Sequence, residues 1–242
     1  MSTNVPPLPG RNFYGRIKGK TLRPTQKADL REYLDPLRLR GVSENENPLR
    51  KPVDPSGFFG DQRPLWLEIG FGGGEHLVHQ CKLNPDVGFL GCEPFVNGVA
   101  MLLGKLRQEE ISNLRLHPWD VRELLEVLPD SCLERAFLLY PDPWPKNRHH
   151  RRRFVTPDYL DLLARVLRHG AIFRVATDIP DYVRQTLEEV PPAGFDNLTP
   201  DVAQWDIPWD DWISTRYEQK ALREGRKPHY LTFRRNVQPA RM

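Results

Sequence analysis

The densest chemistry in the chain lies at Tyr140-Pro141-Asp142-Pro143-Trp144-Pro145-Lys146-Asn147-Arg148-His149-His150-Arg151-Arg152-Arg153. Three prolines at alternate positions fix φ and stiffen the segment, so a carboxylate, Asp142, is held beside an indole plane, Trp144. Such a pair suits a planar base, and the basic run behind it suits phosphates on either side. His149 and His150 are adjacent and lack Cys or Asp at ligand spacing, so they do not indicate a metal. A second feature is Glu68-Ile69-Gly70-Phe71-Gly72-Gly73-Gly74. Glycines there let the backbone turn tightly and approach a ligand closely. The rival ligand is a dinucleotide, but its GxGxxG/A fingerprint meets Glu75 at the third position. Two carboxylates beside the turn oppose a pyrophosphate and tolerate a ligand carrying a sulfonium and an ammonium. Glu93 closes the next apolar run, where a carboxylate accepts hydrogen bonds from both ribose hydroxyls of a nucleoside. Asp120 precedes a helical stretch and reads either as an N-cap or as a partner of an adenine amino group.

These residues need elements to position them. Short apolar runs at 65–70, 87–93, 113–117, 133–140 and 171–177 read as buried strands. Helical stretches at 75–83, 95–110, 121–128, 157–170 and 180–190 separate or follow them, the fourth with a glycine stop. A further helix from Tyr217 and a strand at 229–235 close the chain. The alternation predicts an α/β fold, a parallel sheet covered on both faces, with each candidate acid at the carboxyl edge of a strand. The 24 prolines, about double ordinary usage, crowd the N-terminus, 48–64 and 191–208, which read as loops. Residues 1–60 read as a basic, partly flexible arm with one short helix near 25–34, and 61–242 as the catalytic domain.

Composition bounds the class. The 242 residues are 39% hydrophobic and 28% charged, with a net charge of +3. No run of about 18 apolar residues marks a membrane span, and the N-terminus has no apolar signal core. Cys81, Cys92 and Cys132 are odd in number and lack CxxC spacing, which fits a reducing cytoplasm. The charge is uneven: residues 11–40 carry nine Lys/Arg against three acids, 146–153 five against none, and 216–235 seven against two. Clusters flanking one candidate site point to a polyanion. The arm mixes aromatic and basic residues, a pattern suited to gripping RNA.

Together with LEIGFGGG (67–74), GCEP (91–94), HPWD (117–120), ATD (176–178) and Thr215-Arg216-Tyr217-Glu218, the 140–153 stretch resembles the PDPWxKxRHxKRR signature of the tRNA (guanine-N7-)-methyltransferase family, bacterial TrmB type. The resemblance runs from about residue 10 to 235. It implies a Rossmann-like class I SAM-dependent methyltransferase fold with a mostly parallel seven-stranded sheet. It implies S-adenosylmethionine (SAM) as cofactor, tRNA as partner and a variable-loop guanine as target, with no metal and no membrane. The sequence itself leaves a cytoplasmic monomer or homodimer open and shows no docking feature for an obligate protein partner. Glu68, Gly70, Gly72, Glu93, Asp120 and Asp142 correspond to SAM-binding positions, and Asp142 also to the catalytic one. Lys146, Asp178, Thr215, Arg216, Tyr217 and Glu218 correspond to substrate-binding positions, and Arg148, His149, His150, Arg151, Arg152 and Arg153 to an RNA-contacting stretch. At His150-Arg151 the chain departs from the expected polar residue and Lys, but keeps the charge. The proline-rich 41–63 and 191–208 match poorly and receive no role. Alternatives are a SAM-dependent enzyme acting on another RNA or an amine, and a non-catalytic RNA-binding protein, for which the acids would have no use.

Overall fold

A computed structural model describes residues 13–236. In chain order the regular elements are α1 (Pro24–Glu32), α2 (Leu34–Leu37), α3 (Ser56–Phe59), β1 (Leu65–Ile69), α4 (Glu75–Leu83), β2 (Gly88–Cys92), α5 (Val96–Leu106), β3 (Leu114–His117), α6 (Val121–Val127), β4 (Leu133–Leu139), α7 (Pro157–Val166), β5 (Leu167–Thr177), α8 (Pro180–Glu189), β6 (Phe195–Asn197), α9 (Arg216–Arg223) and β7 (His229–Arg235). They form a seven-stranded sheet of order β3-β2-β1-β4-β5-β7-β6. The first five strands run parallel, and β7 pairs antiparallel with both β5 and β6. The fold expected from the sequence is therefore present.

Strand alternation splits the core in two. Leu65, Leu67 and Ile69 pack on one face with side chains of α6, α7 and α8. Trp66 packs on the other with side chains of α4 and α5. Burial on both faces is why these strands read as unbroken apolar runs. Prolines at the first turns of α1, α7 and α8 start helices where no backbone donor is needed.

Two expectations are corrected. The helix read over 157–170 ends at Val166, and Leu167 already pairs with Leu133 in the sheet. A register shift before the Arg135–Ile172 pair leaves residues 168–170 exposed, and Gly170 takes φ +79° to turn that bulge, not to stop a helix. The proline-rich 191–208 segment contains the edge strand β6, which the loop reading passed over. In the basic N-terminal stretch, chain from α1 onward packs against the sheet. The Leu39 amide donates to the Leu116 carbonyl and that of Val53 to the Val127 carbonyl, while Leu39 and Val42 are core residues. Residues 1–12 of the predicted arm lie outside the described residues. No described helix is long and apolar enough to cross a membrane.

Candidate active site

The carboxyl ends of β1, β2 and β4 and the loops that follow them, with the loop after β3, open into one cleft of about 540 Å³. After β1 the chain turns through Gly70, Gly72 and Gly74, all at positive φ. The turn is packed from both sides. A Cβ on Gly98 of α5 would stand 2.4 Å from the Gly72 carbonyl oxygen, and one on Gly72 would stand 2.7 Å from the Tyr217 ring. Glu93, at the end of β2, is buried and lines the cleft. Its carboxylate accepts from the Gly72 amide at 2.6 Å and the Phe95 amide at 2.8 Å. Burial outweighs these two donors and pushes the carboxyl up to about 7.

Asp120 lines the cleft and also caps α6, accepting from the Arg122 amide at 3.0 Å. Both sequence readings of Asp120 are thus compatible. The Arg122 guanidinium donates to its second oxygen, reaches the Tyr159 hydroxyl at 3.0 Å and lies over that ring. Glu68 behaves differently from Glu93. It is buried outside the cleft lining, with its carboxylate 2.7 Å from His76 Nδ1.

The 140–153 segment forms the far wall. Tyr140 and Trp144 have φ of 49° and 41°, a left-handed conformation that side chains disfavour and that marks stored strain. Between them Asp142 stands solvent-exposed in the cleft mouth, and the protein mass around it raises its carboxyl above the usual range. It makes no side-chain hydrogen bond among the described residues. Residues Asn147–Arg152 form a short 3-10 helix. Lys146, Arg148 and Arg151 are exposed. His149 meets the Trp144 ring edge-on, and His150 Nε2 lies 3.1 Å from Asp181. Arg152 lines the cleft, its guanidinium over both Tyr14 and Trp144.

Arg153 differs from the rest of the basic run. It is 1% exposed, although it borders the cleft. Its guanidinium turns inward because the Pro143 carbonyl, Gln185 and Asp181 all accept from it. Of the other predicted substrate positions, only Tyr217 lines the cleft. Asp178 is paired with Arg226. Thr215 caps α9, accepting from the Glu218 amide at 3.3 Å. Arg216 is bound by Glu75, which also holds Lys105. Glu218 is buried, accepting from Trp212 Nε1 at 2.7 Å and the Tyr140 hydroxyl at 3.2 Å. The structure adds Tyr14, Trp119, Arg122, Tyr159 and Lys220 to the cleft wall. Tyr14 had a sequence signal as part of the aromatic-basic arm, Trp119 as part of the HPWD motif and Lys220 as part of the last basic cluster, whereas Arg122 and Tyr159 had none.

No group of three or more His, Cys, Asp or Glu residues is placed to hold a metal among the described residues. The donors that face the cleft are carboxylates, glycine amides and aromatic rings, a set suited to a nucleoside and a planar base.

A family model described as "Putative methyltransferase" matches residues 62–231. A protein of Ruegeria pomeroyi named tRNA (guanine-N(7)-)-methyltransferase is 67% identical, over 97% of this chain and 99% of its own length. Its namesake from Paracoccus denitrificans is 65% identical with the same coverage. One from Mesorhizobium japonicum is 46% identical over 91% of this chain and 93% of its own. Among solved structures, the 16S rRNA methyltransferase KamB superposes with a TM-score of 0.54 at 17% identity, covering 82% of this chain and 99% of that one. At that identity the likeness is one of fold.

Proposed function

Because the chain belongs to the tRNA (guanine-N(7)-)-methyltransferase family, we propose that it transfers a methyl group from SAM to N7 of the variable-loop guanine of tRNA. The observation that carries the reading is a single cleft walled by the glycine turn, Glu93, Asp120 and Asp142 and edged by Arg16, Arg152 and Lys220. That wall fits SAM. Glu93 is a buried acceptor aligned by two amides, as ribose hydroxyls require, and the turn permits close approach without a phosphate-binding cation. Asp120 offers the cleft an acceptor suited to an adenine amino group, and Gly70 and Gly72 line the same cleft for the rest of the donor. Bound SAM supplies an activated methyl group on a sulfonium.

The chain's own task is alignment and charge. Guanine N7 has a free lone pair, so no base need remove a proton before attack. Alignment of the two reactants therefore supplies much of the catalysis. Positive charge passes to the purine ring, and a fixed carboxylate beside it stabilises that charge and orients its N–H groups. Asp142 is the acid we assign to this role, since Asp178 and Glu218 are already engaged by other side chains. Trp144, Tyr14 and Arg152 offer the stacking planes that an unpaired base needs. Lys146, Arg148 and Arg151 offer charges for the flanking phosphates. Such an enzyme works in the cytoplasm, where its substrate is, as a monomer or homodimer and without a metal.

The test is methyl transfer from labelled SAM to an unmodified tRNA transcript, beside the same transcript with its variable-loop guanine changed to adenine. Label on the first alone is the expected result. Label on both moves the target nucleotide. Label on neither, with SAM binding intact, rejects the assigned substrate.

A further inference from the structure

The strained loop from Tyr140 to Trp144 has a buried charge at each end. At its start, the Tyr140 amide donates to the Ala176 carbonyl at 2.7 Å, and the Tyr140 hydroxyl donates to Glu218 Oε2 at 3.2 Å. The same oxygen accepts from Trp212 Nε1 at 2.7 Å. Trp212 belongs to the segment before α9 and packs its ring among His76, Trp209 and Tyr230. Glu218 is 6% exposed and is not part of the cleft wall. At the loop's far end, Arg153 Nε donates to the Pro143 carbonyl at 2.8 Å and its NH2 group to the Trp144 carbonyl at 3.4 Å. Its charge is matched by Asp181 at 2.8 Å, and its NH1 group reaches Gln185 at 2.9 Å. Gln185 is in turn fixed by donating to the Val155 carbonyl.

Left-handed φ at two residues with side chains is not a conformation a free loop keeps. Some external contact must over-determine it, and these buried hydrogen bonds act at its two ends, beside the ring contacts of Trp144 with Tyr14, His149 and Arg152. A carboxylate already accepting from an indole and a phenol, and shielded from the cleft, is poorly placed to take a hydrogen bond from a base. A guanidinium with almost no exposed surface is not placed to meet a phosphate. We propose that Glu218 and Arg153 are positioning residues that clamp the two ends of the Tyr140–Trp144 loop and so aim Asp142, instead of ligands for guanine and RNA. The inference rests on the methyl-transfer reading above for its kinetic consequences, though not for its structural ones.

The two roles predict different kinetics. If the pair aims Asp142, Glu218→Gln and Arg153→Lys lower kcat by about 10²-fold, the scale of a misplaced catalytic group. KM for tRNA and the salt dependence of tRNA binding stay as in the wild type. Adding Tyr140→Phe to Glu218→Gln costs little more, because both break one contact. A raised KM with kcat retained in Glu218→Gln, or a shallower salt slope in Arg153→Lys, overturns the proposal. Tyr140→Phe and Asp181→Asn remove one partner of each clamp and serve if the buried substitutions do not fold. Hydrogen exchange at the Tyr140 amide, which is bonded to the Ala176 carbonyl, reads the clamp without catalysis. Faster exchange in the variants is expected, and unchanged exchange overturns it. If the wild type does not methylate tRNA at all, the assigned function fails while the exchange result still decides the clamp.

Discussion

Asp142 is held by a loop and by no side-chain partner, so its substitution removes a catalytic group with little loss of structure. Asp142→Ala should lower kcat on the order of 10²-fold or more, the cost of one preorganised electrostatic group. SAM affinity should change by severalfold at most, and near-normal turnover would contradict the assignment. Glu93 makes a different prediction because it is buried. Its carboxyl titrates at about 7 in the folded chain against an ordinary 4.5. The folded state thus holds the proton more tightly, and stability from this group is lost as pH rises from the ordinary carboxylate range through about 7. Glu93→Gln removes that loss. Its melting temperature relative to the wild type should rise between about pH 5 and about pH 8, while SAM binding weakens. Equal shifts at both pH values would show that burial does not control this group. The glycine turn, Glu93 and Asp142 were legible in the sequence because each is specified by its immediate neighbours. The burial of Arg153 was not legible, because it depends on Asp181 and Gln185, 28 and 32 residues away. Likewise Glu218 is engaged by Tyr140, 78 residues distant. A charge run shows where cations are but not which of them turns inward.

At the scale of elements, the glycine turn and α5 form one unit. Gly98 sits in the first turns of α5 with the Gly72 carbonyl against it. Alanine would favour the helix by up to about 1 kcal/mol on intrinsic propensity. The added methyl would meet backbone at 2.4 Å, a contact that no side-chain rotation relieves. Overpacking of this kind costs about 1–3 kcal/mol, so the steric term wins. Gly98→Ala should lower the melting temperature and weaken SAM binding together, because the turn must move to accept the methyl. A stabilised variant with unchanged SAM affinity would show that the turn is slack. The same local logic explains which elements could be read in advance. Helix α4 and strand β7 match the sequence reading to the residue, because apolar periodicity and flanking breakers agree there. The end of α7 did not, since Leu167 leaves the helix only to pair with Leu133, a partner that no local pattern reveals. Strand β6 has three residues in a proline-rich stretch and exists because β7 offers it an edge.

Over the whole molecule, a net charge of +3 is too small to draw a polyanion from every side, so capture of RNA must rely on where the charges lie. Truncating the N-terminal 40 residues would be a poor test of this, because it removes Leu39 from the core and the buried Asp29 from α1. The exposed cations after the Asp142 loop are the cleaner choice: Lys146, Arg148 and Arg151 form no ion pair among the described residues and lie outside the cleft wall. Each phosphate contact contributes about 0.7–0.9 to the slope of log affinity against log salt. Replacing all three with alanine should reduce that slope by about 2 and weaken tRNA binding most at low ionic strength. SAM affinity and kcat at saturating tRNA should be retained, because none of the three holds Asp142 or Glu93. The contrast with Arg153→Lys is the informative part. Neutralised surface cations should change salt dependence and spare turnover, whereas the buried arginine at the end of the same run should change turnover and spare salt dependence. An identical response of both variants would mean that the run acts as one electrostatic surface and that its inward-facing member has no separate role.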